Sequence, residues 1–397
     1  MTKREKHVLY AAAAVGLMSN GGIILSPALS SIMAHFSEIP PMFVQMLITV
    51  PALMMIPASI VAGYLCRKIS FRRIFQVCLA VLALAGILPF LLQNFVVVFC
   101  SRIAVGIAIG SMTPLANALI ANNFTGLQKD RAIGIYTASE SIGGAVMVFL
   151  SGVIVQFGWR YNFLVYLIAV GQFILVTRFC PPGHGQGAEG ERPSKSSAPV
   201  INPTVCFVWV VFFIYMTYLN TFATHISQFV EGEGIGTSAV CGVVSSVFLV
   251  SGFVCGLVYS KITAVFRRYT FVFGMGITAV GMLLVANSHH ALVVIPGSII
   301  SGFGMGVTLP TGNLLSAASV SQEKSASAIA LGASAYQLAQ FMTPFLVAPT
   351  TELVLGADSI RGRFGVSAAI LCIWTGLVFF ATWLFRKKIT PKGRKRH

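Results

Sequence analysis

The sequence predicts an all-helical membrane protein whose twelve transmembrane helices form two six-helix halves. Three observations predict it. Apolar stretches of about twenty residues recur from Val8 to Phe385. Basic residues crowd into alternate gaps between them, and one polar stretch near the middle parts the spans six and six. In bulk, 56% of residues are hydrophobic, 10% are charged and the mean hydropathy is +0.83. A water-soluble domain of this size would carry far more polar surface.

A helix rises about 1.5 Å per residue, so roughly twenty apolar residues cross a hydrocarbon layer about 30 Å thick. The stretches that qualify are Val8 to Leu29, Phe43 to Leu65, Ile74 to Leu92, Phe95 to Ile120, Ala132 to Gln156 and Tyr161 to Cys180. The second set is Thr204 to Phe229, Ser238 to Tyr259, Tyr269 to Asn287, Ala291 to Leu315, Ser327 to Pro349 and Phe364 to Phe385. Between the sets lies PPGHGQGAEGERPSKSSAPVINP, too rich in Pro, Gly, Ser and charge to span or to pack. This gives an N-terminal half over 1–180, a cytoplasmic linker over 181–203 and a C-terminal half with a basic tail over 204–397.

The net charge of +16 raises the question of a nucleic-acid partner. With the N-terminus in the cytoplasm, every Lys and Arg except Arg102, Arg160, Arg361 and Arg363 falls on the cytoplasmic side. That is the bias that orients membrane proteins, and it puts both termini inside. The chain carries no nucleic-acid module, so its partner is the bilayer, with the tail from Arg386 to Arg396 near anionic headgroups. The expected location is the plasma (inner) membrane. The eight cysteines lie in or beside apolar spans without a CxxC pair, and they read as small apolar residues. No cofactor or metal is expected. The opening TKREKH before an apolar run is read as part of a retained span, because removing it would delete the first helix of a repeat. Asn123, Phe124 and Thr125 spell a glycosylation acceptor that this topology places in the cytoplasm.

The repeat is visible in the residues. Gly106, Gly110, Pro114 and Asn117 of the fourth span recur as Gly302, Gly306, Pro310 and Asn313 of the tenth, all at one offset. GYLCRKISFRR from Gly63 has a weaker echo in GLVYSKITAVFRR from Gly256. Two parallel six-span halves are a common plan of secondary transporters, whose solute site lies at mid-membrane between them.

On these residues the chain resembles the major facilitator superfamily over essentially its whole length. Gly63, Lys68, Arg72 and Arg73 match the first copy of its loop motif Gly-x-x-x-Asp-Arg-x-Gly-Arg, with Arg67 in the Asp place and Ser70 in the second Gly place. The second copy has Ser260 in the acidic place. Arg102, Gly106 and Gly110 look like the family's fourth-span pattern, and Gly158 to Tyr161 resembles its boundary before the sixth span. In the fifth span Gly143 and Gly144 match the end of a motif of drug/proton antiporters, with Glu140 in its Pro place and Ser139 in the preceding Gly place. The resemblance implies gating by Gly63, Lys68, Arg72 and Arg73, without the acidic partner that latches the gate in the family. It also implies a place near the antiporter branch, with degraded motifs.

Two charged residues sit deep within spans, where charge persists only if it is paired or faces water: Arg102 and Glu140. Arg102 reads either as a hydrogen-bond hub for backbone carbonyls or as a coupling or solute-binding cation. Glu140 reads either as the group that loads and releases a proton or as a structural partner of nearby hydroxyls. Helix rise separates the two along the membrane normal by about 14 Å, which favours two stations over a direct salt bridge.

In the seventh span Tyr218, Thr221, His225 and Gln228 share one helical face, and in the eleventh Tyr336, Gln340 and Thr343 make a shorter stripe. Asn20, Asn117 and Asn313 add polar groups in other spans. These read as the lining of a hydrated cavity or as interhelical hydrogen bonds; His225 reads as a rim residue or a proton carrier. The Gly pairs Gly106/Gly110, Gly252/Gly256 and Gly302/Gly306 read first as close packing, and Pro114 and Pro310 as bends.

The expected function is secondary active transport of a small organic solute by alternating access, as proton-coupled efflux of an amphipathic or aromatic compound. Proton-coupled uptake of a small organic anion, held partly by Arg102, is the alternative. No Walker A sequence and no HExxH or Ser/His arrangement is present, which argues against an ATPase or an intramembrane enzyme. A non-transporting receptor is a remote alternative.

Overall fold

A computed structural model describes residues 2–181, 202–321 and 324–384. Linker residues 182–201 and the basic tail from Arg386 to Arg396 lie outside the described residues.

The elements are helices. The first span runs as Lys3–Gly16, two short 3-10 turns at Gly21–Ile23 and Ser26–Ala28, and Leu29–His35. Spans two to five are Pro41–Leu65, Phe71–Leu91, Phe95–Asn123 and Gly126–Ile154. The sixth begins as a 3-10 segment, Trp159–Leu167, and continues as Ile168–Phe179. The seventh is Pro203–Leu219 followed by Thr221–Gly232, and the eighth is Ser238–Phe266. The last four are Thr270–Ala286, Ala291–Ala318, Ser325–Leu355 and Ile360–Leu384.

The apolar helical run Ser238–Ala286 is 49 residues long, and at about 1.5 Å per residue it would reach more than twice across a bilayer. It is two spans. The chain turns at Arg267, whose φ of 49° ends one helix before Thr270 starts the next.

The buried side chains form two separate cores. One runs from Val8 to Cys180 and the other from Val211 to Val378, so each set of six spans packs around its own interior.

Within each half, glycines let one helix lie directly on another. A Cβ on Gly110 would stand 2.5 Å from the Cα of Met55, which presses the fourth span onto the second. A Cβ on Gly306 would stand 2.5 Å from the carbonyl oxygen of Gly252, which presses the tenth onto the eighth. The same pairing in both halves is the structural face of the sequence repeat, and the close packing of backbones is what small-xxx-small spacing permits.

The sequence reading treated the first and seventh spans as unbroken, and here the structure differs. The first span unwinds between Gly16 and Leu29, at Ser19-Asn20-Gly21-Gly22, and the seventh is interrupted at Asn220. Unwound backbone inside a membrane must find partners for its carbonyls. It finds them in side chains: Arg102 donates to Gly22 O, Tyr166 Oη to Gly21 O at 2.6 Å, and Ser151 Oγ to Ile24 O at 2.6 Å.

The halves meet at one end. Ser26 Oγ donates to Ala223 O at 2.6 Å and Ser227 Oγ to Pro27 O at 3.0 Å, which joins the first span to the seventh. Ser246 Oγ donates to Ala145 O at 2.8 Å, which joins the eighth to the fifth. Beside that bond Gly152 lies on Gly242, where a Cβ on Gly152 would come within 2.6 Å of the Gly242 Cα. All these contacts lie toward the end away from the N-terminus.

Candidate functional site

Between the halves lies a cavity of about 620 Å³, within the range that holds a drug-sized molecule. The break in the first span gives it Ser19, Asn20 and Gly22; the break in the seventh gives it Asn220. The fifth span adds Gly134, Thr137, Glu140 and Ser141, and the eleventh adds Tyr336, Gln337 and Gln340. The eighth span lines one wall from Phe248 to Tyr259, so the cavity runs from the breaks toward the end that carries the N-terminus. Among the described residues, its lining holds one ionisable carboxyl, Glu140, and no Lys, Arg or His.

Glu140 is held by its neighbours. Its carboxyl sits with the hydroxyls of Tyr136 and Ser19, which lie 3.2 Å from each other, and its backbone oxygen accepts from Asn20 Nδ2 at 2.9 Å. Tyr136 is one helical turn before Glu140, so its hydroxyl falls on the same face of the fifth span. The approach of the first span is possible because Gly143 and Gly144 follow: a Cβ on Gly143 would stand 2.5 Å from the Cα of Leu17. The Gly pair that resembles an antiporter motif is therefore what lets the unwound segment reach Glu140.

Arg102 is in a different place. It is fully buried and outside the cavity lining. Its Nε donates to Leu47 O at 2.7 Å, and its two terminal nitrogens donate to Tyr166 Oη and Gly22 O. Its guanidinium carbon lies 5.7 Å from the Tyr166 ring centre. One cation thus ties the fourth span to the second, the sixth and the broken first. Arg102 and Glu140 touch the same break at adjoining points without pairing with each other.

Of the other residues picked from the sequence, Asn20, Tyr336 and Gln340 line the cavity with Glu140. Tyr218 lies off the lining, with its hydroxyl 3.3 Å from Thr350 Oγ1. Thr221 is fully buried against Ser367, 2.9 Å away. His225 is also fully buried: its Nδ1 meets Thr224 Oγ1 at 2.7 Å and its Nε2 has no hydrogen-bond partner among the described residues. Asn117 is exposed and donates to Thr113 O at 3.3 Å, and Asn313 is half-buried on the tenth span, also off the lining. Gly63, Lys68 and Arg73 are exposed around the turn between the second and third spans. Arg72 turns instead toward the first helix, beside Lys3, Arg4 and His7.

The sequence reading passed over Ser19, Tyr136, Asn220, Tyr259 and Gln337. Asn220 carried a usable signal, since it stands in the seventh span as Asn20 stands in the first. The others carried none, because a hydroxyl or an amide in a span is common.

The fold has solved counterparts. A bacterial homologue of the human lysosomal transporter Spinster, crystallised inward-facing and occupied, superposes with a TM-score of 0.79 at 14% identity, covering 99% of this chain and all of its own. The unoccupied inward-facing form gives 0.76 at 13% identity, again over 99% of this chain and 100% of that one. The nucleoside transporter NupG gives 0.73 at 12% identity, over 96% of this chain and 99% of its own. At such identities the likeness concerns the fold. The sequence itself matches the model of the Major Facilitator Superfamily over residues 9–344, nearly the whole chain. This chain is a multi-pass membrane transporter, not an enzyme, and it belongs to the Major Facilitator Superfamily.

Proposed function

We propose that this protein is a proton-coupled exporter of amphipathic, aromatic solutes that are cationic or neutral. The observation that carries the reading is a cavity at the seam of the halves with, among the described residues, one carboxyl and no basic side chain in its lining. An anion entering it would meet Glu140 and find no cation. Arg102, which the uptake of an organic anion would need, makes its hydrogen bonds to Leu47, Tyr166 and Gly22. Phe248, Phe253, Tyr259 and Tyr336 give the solute aromatic faces, and Asn20, Asn220, Gln337 and Gln340 give it hydrogen bonds.

Glu140 is the proton carrier in this reading. The hydroxyls of Ser19 and Tyr136 stand near its carboxyl; ionised, the carboxylate attracts them as donors, and protonated, it becomes a donor itself, so the two states call for different hydroxyl arrangements. Ser19 and Asn20 belong to the break in the first span, whose far side is bonded to Ala223 and Ser227 of the seventh. The charge state of one carboxyl is thereby felt at the contact between the halves. With the N-terminus in the cytoplasm, the cavity faces inward and loads its solute from that side.

The test is flux in proteoliposomes under an imposed pH gradient, with the aromatic cation tetraphenylphosphonium as probe. Glu140→Gln abolishes pH-driven flux, Glu140→Asp retains part of it, and binding of a neutral aromatic solute survives in both. Unchanged flux in Glu140→Gln removes this residue from the mechanism.

A further inference from the structure

At the end that carries the N-terminus, outside the central cavity, the structure holds a second cavity of about 370 Å³. The start of the first span gives it Lys3, Arg4 and His7. The start of the third gives it Arg72, and the end of the sixth gives it Arg178, Phe179, Cys180 and Pro181. Four side chains of fixed positive charge and one imidazole thus face a single space, drawn from three spans. Among the described residues, no acidic side chain lines it. The nearest acid in sequence, Glu5, is turned to its own helix cap, where it accepts from the Thr2 backbone N–H at 2.7 Å.

The cluster is set by packing. The Phe179 ring lies 5.2 Å from the His7 ring and 5.6 Å from the Tyr10 ring, both edge-on, and the Arg178 guanidinium carbon is 6.0 Å from the Phe179 centre. These contacts hold the end of the sixth span against the first, and so hold the cations close. Lys3, Arg4 and Arg178 are exposed, so solvent screens much of the repulsion among these like charges, and the remainder favours an anion in the space between them. A multivalent anion turns that repulsion into attraction, and arginine forks match the oxygens of a phosphoryl group. The apolar side, formed by Phe179, Cys180 and Pro181, suits the glycerol end of a phospholipid.

We propose that this cavity is a seat for a phosphate-bearing anion, either the headgroup of an anionic phospholipid or a soluble phosphate compound. Its place at the ends of three spans makes a lipid the first probe. An anion there would bridge the first, third and sixth spans and brace the half that carries Glu140.

The experiment uses the purified full-length chain in neutral detergent. In one arm cardiolipin is titrated, and bound lipid is counted by native mass spectrometry alongside the unfolding temperature. In the other, inorganic pyrophosphate is titrated without anionic lipid. The wild-type protein binds at least one of these anions saturably at about one per chain and is stabilised by it. Cardiolipin alone identifies a lipid seat, and pyrophosphate identifies soluble-phosphate recognition.

Each basic residue near an anionic headgroup contributes about fivefold, so Arg4→Gln with Arg178→Gln weakens binding by about 30-fold. The control, Lys261→Gln with Arg268→Gln, removes the same charge from the other half and leaves binding unchanged. Equal loss in both double variants means attraction by overall charge and overturns the proposal. Absence of saturable binding of either anion to the wild-type protein overturns it as well, and that measurement needs no variant to fold. Neither result depends on Glu140, so the transport reading stands or falls apart from it.

Discussion

Replacing Gly152 with Leu is expected to force the halves apart at their closed end. A Cβ on Gly152 would meet the Gly242 Cα at 2.6 Å, Ser238 O at 2.6 Å and the Gly242 nitrogen at 2.8 Å. All three are backbone atoms, so no side chain can swing aside. The fifth and eighth spans must separate, or the closed end must open. Overpacking of this kind costs about 1–3 kcal/mol. The cost falls only on the state in which the two glycines touch, so the ratio of closed to open shifts by about 5- to 150-fold. Spin labels at Phe157 and Leu353, which are 76% and 85% exposed on opposite halves near this end, report the separation in a cysteine-free background. The wild-type chain gives a single short distance by electron paramagnetic resonance, and Gly152→Leu adds or substitutes a longer one. Gly171→Leu is the control, since a Cβ there meets nothing within 4 Å. If Gly152→Leu keeps the wild-type distance and the wild-type unfolding temperature, the halves do not close by backbone contact at this crossing and the argument fails.

Other substitutions test other parts. Arg102→Ala leaves Leu47 O, Gly22 O and the Tyr166 hydroxyl short of partners in a buried place, and should cost about 3 kcal/mol or more in reversible unfolding. Arg102→Lys should recover little of it, because an ammonium cannot reach three acceptors with the geometry of a guanidinium. Gly110→Val should lower the unfolding temperature or the yield of folded protein, while Gly134→Val, with open space around its Cβ, should not. Outside the spans, the hydrogen bonds from Arg363 hold the Asp358 carboxyl below its ordinary value. A carboxylate of this kind adds stability above its unfolded pKa, and that stability fades as pH falls through the lower, folded pKa. Asp358 is partly exposed, so solvent screens the pair and Asp358→Asn should cost only a few tenths of a kcal/mol at pH 7. The difference from wild type should shrink as pH falls below the usual carboxylate range and vanish once Asp358 is protonated in the folded state, and a gap that does not shrink with acid refutes the assignment.

Much of the fold was legible because the bilayer imposes a length on every span and a sign on the loops between them. The offset shared by Gly106, Gly110, Pro114 and Asn117 with their second copies pointed to the duplicated halves. Span boundaries slipped where polar residues sit inside helices, as at Ser325–Leu355, whose ends lie beyond the apolar window Ser327 to Pro349. The breaks at Asn20 and Asn220 escaped notice because hydropathy is blind to backbone geometry, and Gly21-Gly22 reads as apolar. The site was partly legible. Glu140 was visible as an unaccompanied charge, and Tyr336 and Gln340 as a polar stripe. The stripe Tyr218, Thr221 and His225 looked alike in sequence, yet it is directed to neighbours within its own half, Thr350, Ser367 and Thr224. One-dimensional periodicity identifies a polar face without naming what that face meets.

The duplication is incomplete at one telling place. Where the fourth span has Arg102, the repeat offset puts Ser298 in the tenth, and its hydroxyl merely returns to Val294 O of its own helix at 2.7 Å. The elbow of the first span takes a guanidinium bond at Gly22 O from the fourth span, whereas at the elbow of the seventh the Asn220 amide donates to Met216 O of its own helix and Thr224 Oγ1 donates to Asn220 O. Flexing during the cycle should concentrate in the second half, and amide hydrogens around Asn220 should exchange faster than those around Asn20.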